Sequence, residues 1–202
     1  YILEDNTEIV VQNTLCFDIS IIFIIKQWSL NFFLVFMFEN RTVQQLFCPK
    51  LQIIKTGAFK NSGIIELLPK YTPSLQIIQA EVFYNCKRLK IIELEALEIL
   101  ETSAFAFCTE LEVVVLPKLE IVGQEAFDGC VKLSQLAIPN LKEAGDHCFR
   151  DCVQLQDVSF PLIKKIGLGA FENCKITKIE IPFEKKETNC KRDEKWGQKA
   201  RK

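Results

Sequence analysis

The sequence predicts a repeat solenoid: a stack of coils with short parallel β-strands on the concave face and helical or 3-10 turns and loops on the convex side. Three observations carry this. Phe83, Phe105, Phe127, Phe149 and Phe171 stand 22 residues apart, and Cys86, Cys108, Cys130, Cys152 and Cys174 keep the same step. After each cysteine, aliphatic residues alternate with other residues at the period of a half-buried strand. Several of these runs close on a proline, as at Pro117, Pro139 and Pro161. A period in this range with leucine at fixed offsets marks a leucine-rich repeat array.

Counted from each phenylalanine, cysteine follows after three residues, leucine after six, aliphatic residues after nine and eleven, and proline after twelve. The copy of Phe105 reads Cys108, Leu111, Val114, Leu116 and Pro117, and the next reads Cys130, Leu133, Leu136, Ile138 and Pro139. The third reads Cys152, Leu155, Val158, Phe160 and Pro161. β-Branched residues such as Val113, Val114 and Val115 suit a strand. Proline ends it because it has no N–H for the neighbouring coil's ladder. Past the prolines, Leu119 and Val122, Leu141 and Ala144, and Ile163 and Ile166 recur, followed by Gly123, Gly145 and Gly167. Glycine there implies a positive φ or a crowded backbone. The stretch from Gly123 to Cys130 suits one helical or 3-10 turn. One repeat alone cannot offset the entropy of ordering its own backbone, so the copies must stack.

The flanking copies are looser. Phe59 lies 24 residues before Phe83, has Ser62 in place of cysteine, and is followed by an insertion around residues 69–73. Met37 takes the phenylalanine position of an earlier copy, with Val43, Leu46, Cys48 and Pro49 in register, while Leu15, Ile21 and Ile24 fit only faintly. The chain thus divides into a degenerate repeat, cap or apolar N-terminal segment (1–36), an array of about 22 residues per repeat (37–182), and a charged flexible tail (183–202). Between residues 19 and 38, fifteen of twenty residues are apolar, a length that could span a bilayer. Lys26 in that stretch would cost about 2.5–3.5 kcal/mol at a membrane centre, and Ser20, Gln27, Ser29 and Asn31 interrupt it further. Degenerate repeats or a cap over the first strand edge are the preferred reading, with a membrane segment as the alternative.

Hydrophobic content of 49% with 25% charged residues belongs to a folded domain. The net charge is −1, but residues 184–202 carry +4, which leaves a mildly acidic body. Nucleic-acid binding is excluded for want of a basic field. Contact of the basic tail with an acidic membrane or partner remains open. Residue 1 is Tyr and the only methionine is Met37, so the true N-terminus is expected to lie upstream.

The cysteine column admits a disulfide, a metal or a packing reading. A 22-residue step sets the sulfurs in a line, whereas zinc needs ligands converging on one point. Parallel Cβ vectors in a stack do not give the disulfide dihedral. Buried free thiols, each a small apolar residue with a weak donor for the return, are expected. In register, Cys148 falls where Ala104, Ala126 and Ala170 sit, a small buried slot. His147, the one histidine, falls where Ser103, Glu125 and Gly169 sit, on solvated surface. No catalytic residue, metal ligand or cofactor is expected, because no nucleophile–base pair or phosphate loop stands out.

A protein ligand is the expected partner. Strand residues pointing away from the core would form the recognition surface: Ile91 and Glu93, Val113 and Val115, Gln135 and Ala137, Asp157 and Ser159. The middle of that face is apolar and its ends polar, as in protein-binding surfaces. β-Propensity alone is the competing explanation for its valines.

The phrase Ala-Phe-x-x-Cys-x-x-Leu-x-x-Leu-x-Leu/Ile-Pro, as in Ala104 to Pro117 and Ala126 to Pro139, resembles the BspA-like leucine-rich repeats of bacterial and protist surface proteins. The resemblance covers about Leu46 to Pro182. It implies a right-handed solenoid, no catalytic residues and, for many members, adhesion to host or matrix proteins at the cell surface. An intracellular scaffold using the same face is the first alternative. A thiol-based redox or metal protein is the second.

Overall fold

The computed structural model describes residues 21–24, 40 and 43–182. Every strand pairing among them is parallel, and each coil lays its strands beside those of the next. The expected strand appears in each coil as β2 (Val43–Phe47), β4 (Glu66–Leu67), β6 (Ile91–Glu93), β8 (Val113–Val115), β10 (Gln135–Ala137), β12 (Asp157–Ser159) and β14 (Lys178–Glu180). Strand β1 (Ile21–Ile24), inside the apolar N-terminal stretch, pairs with β2. Strands β4, β6, β8 and β10 form one four-stranded sheet, whereas β12 pairs separately with β14.

The ladder therefore opens between β10 and β12, and the side chains beneath supply a reason. Leu94, Leu116 and Ile138 fill the buried position just past β6, β8 and β10, but after β12 that position holds Phe160. The larger ring lies 6.4 Å from Phe149 and 6.0 Å from Phe171, and it needs more room between coils than the aliphatics do.

The return path differs from expectation. It contains a second, six-stranded parallel sheet: β3 (Ile53–Ile54), β5 (Ile77–Ile78), β7 (Ile99–Leu100), β9 (Ile121–Val122), β11 (Glu143–Ala144) and β13 (Lys165–Ile166). Each strand is only two residues long, one side chain pointing out and the other in. That is too short for alternation to announce it in the sequence.

No helical turn forms around the phenylalanines. Two residues before the ring, Glu81, Ser103, Glu125 and His147 have φ of 53–56°, and two residues after it Asn61, Asn85, Phe107, Asp151 and Asn173 have φ of 58–61°. Left-handed residues on both sides of the ring stop a right-handed helix from propagating. They also turn alternate N–H groups toward the next coil. Ser103, Phe105 and Phe107 donate to the carbonyls of Gln124, Ala126 and Asp128, and the same three bonds recur one coil later from Glu125, Phe127 and Gly129. Gly123, Gly145 and Gly167 answer to crowding rather than to positive φ. A Cβ on Gly145 would lie 2.6 Å from the Gln124 backbone nitrogen.

The core is a set of columns. Phe59, Phe83, Phe105, Phe127, Phe149 and Phe171 form a continuous stack with centroids 5.2–5.5 Å apart and planes within 13° of parallel. Aliphatic columns such as Leu89, Leu111, Leu133 and Leu155 surround it, all fully buried. No helix among the described residues is long and apolar enough to cross a membrane. The position assigned to Met37 and the nature of the tail from residue 183 lie outside the described residues.

Candidate functional site

The cysteine column is part of the scaffold. Cys86, Cys108, Cys130, Cys152 and Cys174 each donate their thiol to the carbonyl of the phenylalanine in the preceding coil, at 3.0–3.3 Å. All are free thiols. Burial pushes the thiols of Cys108, Cys130, Cys148 and Cys152 up, so they stay protonated and serve as donors. At Cys86 the same burial is opposed by hydrogen bonds with Cys108 and Ser62, which draw that thiol down. Ser62, in the cysteine column of the first copy, keeps its hydroxyl 3.4 Å from the Cys86 sulfur.

Cys148 lies in the small buried slot that the repeat assigns to it. His147 departs from the solvated position expected for it. Its imidazole is half-buried over Gly169, where a Cβ would lie 2.6 Å from the ring, and Nδ1 is 3.3 Å from a Glu172 carboxylate oxygen. The absence of a side chain at residue 169 lets the ring fold back onto the coil. Among the described residues, no group of histidine, cysteine and acidic side chains is arranged to hold a metal ion.

On the first sheet, the expected surface residues fall into two outward columns. Ile91, Val113 and Gln135 are mutual partners across β6, β8 and β10, and so are Glu93, Val115 and Ala137. Asp157 and Ser159 are not in that sheet. They pair instead with Lys178 and Glu180 across β12 and β14. Ile91, Glu93, Val113 and Val115 are half-buried, while Gln135, Ala137, Asp157 and Ser159 are exposed. The polar end is self-bonded: Thr177 Oγ1 donates to Asp157 Oδ1 at 3.0 Å, and Lys178 pairs with Glu180 at 2.8 Å.

Sequence reasoning passed over two features of the turn region. Asp128 is only 2% exposed, and its carboxylate takes both Nε and an Nη of Arg150 from the next coil, the Nε bond being 2.9 Å. The pattern Asp-then-Arg at one repeat position, 22 residues apart, was the available signal. Amide side chains also bond from coil to coil, Asn85 to Asn61 at 2.6 Å and Asn61 to Asn40 at 3.0 Å. Phe107 interrupts that column, 40% exposed, edge-on to Tyr84 at 5.4 Å and lying against Gly129.

The profile of the BspA type leucine-rich repeat region matches residues 32–143 and 76–191, in six copies. The chain resembles solved leucine-rich repeat proteins from Bacteroides ovatus (17% identity, TM-score 0.58, 69% of this chain and 49% of that one). Others come from Eubacterium ventriosum (21%, 0.58, 74% and 47%) and T. pallidum (26%, 0.53, 66% and 65%). The chain therefore spans about half the length of the first two and 65% of the third. No curated protein matches it.

Proposed function

The chain belongs to the BspA type leucine-rich repeat family, and from that premise we propose that it is a non-enzymatic module that binds a protein through the outward face of its first sheet. The observation that carries the reading is the pair of outward columns on β6, β8 and β10. Ile91, Val113 and Val115 make a half-buried apolar centre, bordered by Glu93 on one side and by the exposed Gln135 and Ala137 on the other. An apolar centre within a polar margin suits a protein partner, since the centre gains by desolvation and the margin fixes register. The Asp157, Ser159, Lys178 and Glu180 ladder extends the polar end beyond the open seam. Exposure at the cell surface, with a host or matrix protein as ligand, follows from the family resemblance as part of this proposal. Burial keeps Cys108, Cys130, Cys148 and Cys152 protonated, which argues against redox work at those positions, because the thiolate is the reactive form.

The test uses Val113→Lys combined with Val115→Lys. The double variant should keep its far-UV circular dichroism and lose capture by immobilised extracellular-matrix proteins. A matrix protein bound equally well by wild type and variant would remove the first sheet from that role. Ile121→Lys on the second sheet serves as the control and should leave this capture unchanged.

A further inference from the structure

The second sheet carries an outward column of its own. Ile53, Ile77, Ile99 and Ile121 are successive cross-strand partners, followed by Glu143 and Lys165. Ile99 is 46% and Ile121 52% exposed, so the repeat spends its most β-branched, water-facing residues on the return rather than on the expected binding face. The residues beside the column divide by chemistry. The first two coils place Gln52, Lys55, Gln76 and Gln79 there, and the next two place Glu98, Glu101, Glu120 and Gly123, so one half is amide and basic and the other acidic.

We propose that this face pairs with itself, in a second copy of the chain, about a twofold axis that runs along the strands between β5 and β7. That operation keeps strand direction and reverses coil order. It sets Ile77 against Ile99 of the partner copy and Ile53 against its Ile121, so all four isoleucines leave water. The flanks then match. Gln76 meets Glu98, Gln52 meets Glu120, Gln79 meets Glu101, and no like charges oppose one another. Twofold interfaces require one patch to complement itself in this way, and sheets with near-parallel strands pack aligned about 10 Å apart.

The bonds within one chain leave the needed atoms available. Gln79 Oε1 accepts the Thr56 N–H at 3.3 Å, which leaves its amide nitrogen as donor. Glu101 uses one carboxylate oxygen on the Ala80 N–H at 3.0 Å, and Glu120 uses one on Lys142 at 2.6 Å. Each keeps a second oxygen as acceptor. Four strands at about 4.8 Å and four residues at about 3.3 Å make a face of roughly 19 by 13 Å. Two such faces bury roughly 500 Å² of flat area, less than half of a standard interface. The dimer is therefore weak and forms as concentration rises. It leaves the first sheet free on both copies, so it stands apart from the binding role proposed for that sheet.

Sedimentation equilibrium of the full chain over a concentration series tests the pairing. The average mass should climb toward that of a dimer. Ile99→Lys with Ile121→Lys should hold it at the monomer where wild type is half dimeric. Gln76→Glu should weaken the dimer by opposing two carboxylates, and adding Glu98→Gln to the same chain should restore it. All four positions face outward, and circular dichroism checks that each variant is folded. A monomer at every concentration, a dimer indifferent to the two lysines, or a charge exchange that fails to restore it would each overturn the proposal.

Discussion

Replacing Phe127 by alanine probes the physical basis of the array most directly. The ring is fully buried, and both its faces are covered by other rings, Phe105 and Phe149, each 5.5 Å away with planes within 7°. A buried aromatic side chain of this size removes about 150–250 Å² from water, worth about 4–6 kcal/mol at about 25 cal/mol per Å². Alanine retains a fraction of that burial. The flanking rings cannot move in to fill the void, because each is fixed by its own backbone bond to the next coil. The expected cost is about 3–5 kcal/mol. Phe171 stacks on Phe149 at 5.3 Å and lies 6.0 Å from the tilted ring of Phe160, but it is 5% exposed where Phe127 is fully buried, so Phe171→Ala should cost less, about 3 kcal/mol. Urea unfolding followed by far-UV circular dichroism measures both. A loss under about 1 kcal/mol at Phe127, or a larger loss at Phe171 than at Phe127, would refute the argument that the cost follows burial within the ring stack.

Three further outcomes follow from the same columns. Cys130→Ser should cost less than Cys130→Ala, because a hydroxyl can still donate to the Phe105 carbonyl; alanine should cost about 0.5–1.5 kcal/mol for the bond alone, and urea midpoints compare the two. Stability should fall as pH rises. Buried Cys108, Cys130, Cys148 and Cys152 keep their protons in the folded chain, while unfolded thiols lose theirs near pH 8.5. The folded state then binds more protons, so the contribution is whole below about pH 8 and is lost above it by about 1.4 kcal/mol per thiol per pH unit. Urea midpoints equal at about pH 7.5 and 9.5 would contradict that burial. Arg150→Ala should destabilise more than Asp128→Ala, by about 1–3 kcal/mol. The first strands a buried carboxylate, whereas the second frees a guanidinium that already reaches water.

The phenylalanine and cysteine columns were legible in the sequence because burial tolerates few residues and the period repeats them. The first sheet followed from alternation at Val113, Val114 and Val115, bounded by Pro117. The second sheet was not legible. Ile99-Leu100 and Ile121-Val122 are pairs, and two residues carry no period. The turns were misread because helical and left-handed turns can both place a phenylalanine inward. Positive φ at Glu81, Ser103 and Glu125 falls on residue types that do not announce it, although Asn61, Asn85 and Asn173 did offer a hint. The surface residues were found by register alone, which places Asp157 and Ser159 in one line with Val113 and Val115. The seam beside Phe160 separates them, and only its volume, out of keeping with Leu94, Leu116 and Ile138, could have signalled the break.

The division between inner and outer columns also determines where specificity can lie. An inner position is constrained by the coils above and below, so its occupants stay within one size and polarity: leucine at 89, 111, 133 and 155, phenylalanine at the ring. An outer position meets only water and its lateral partners. It is free to change from Ile91 to Val113 to Gln135 to Asp157 without unsettling the coil. Chemical individuality is therefore pushed outward onto the two sheets, and the two faces have used it differently. The first is charged at Glu66 and Glu93, apolar at Ile91, Val113 and Val115, and polar again from Gln135 onward, which suits a partner that seats an apolar patch between polar margins. The second keeps isoleucine through four coils and then changes abruptly to Glu143 and Lys165, with amides and Lys55 beside one half of the stripe and carboxylates beside the other. A surface whose two halves complement each other gains nothing from that order unless another copy meets it reversed.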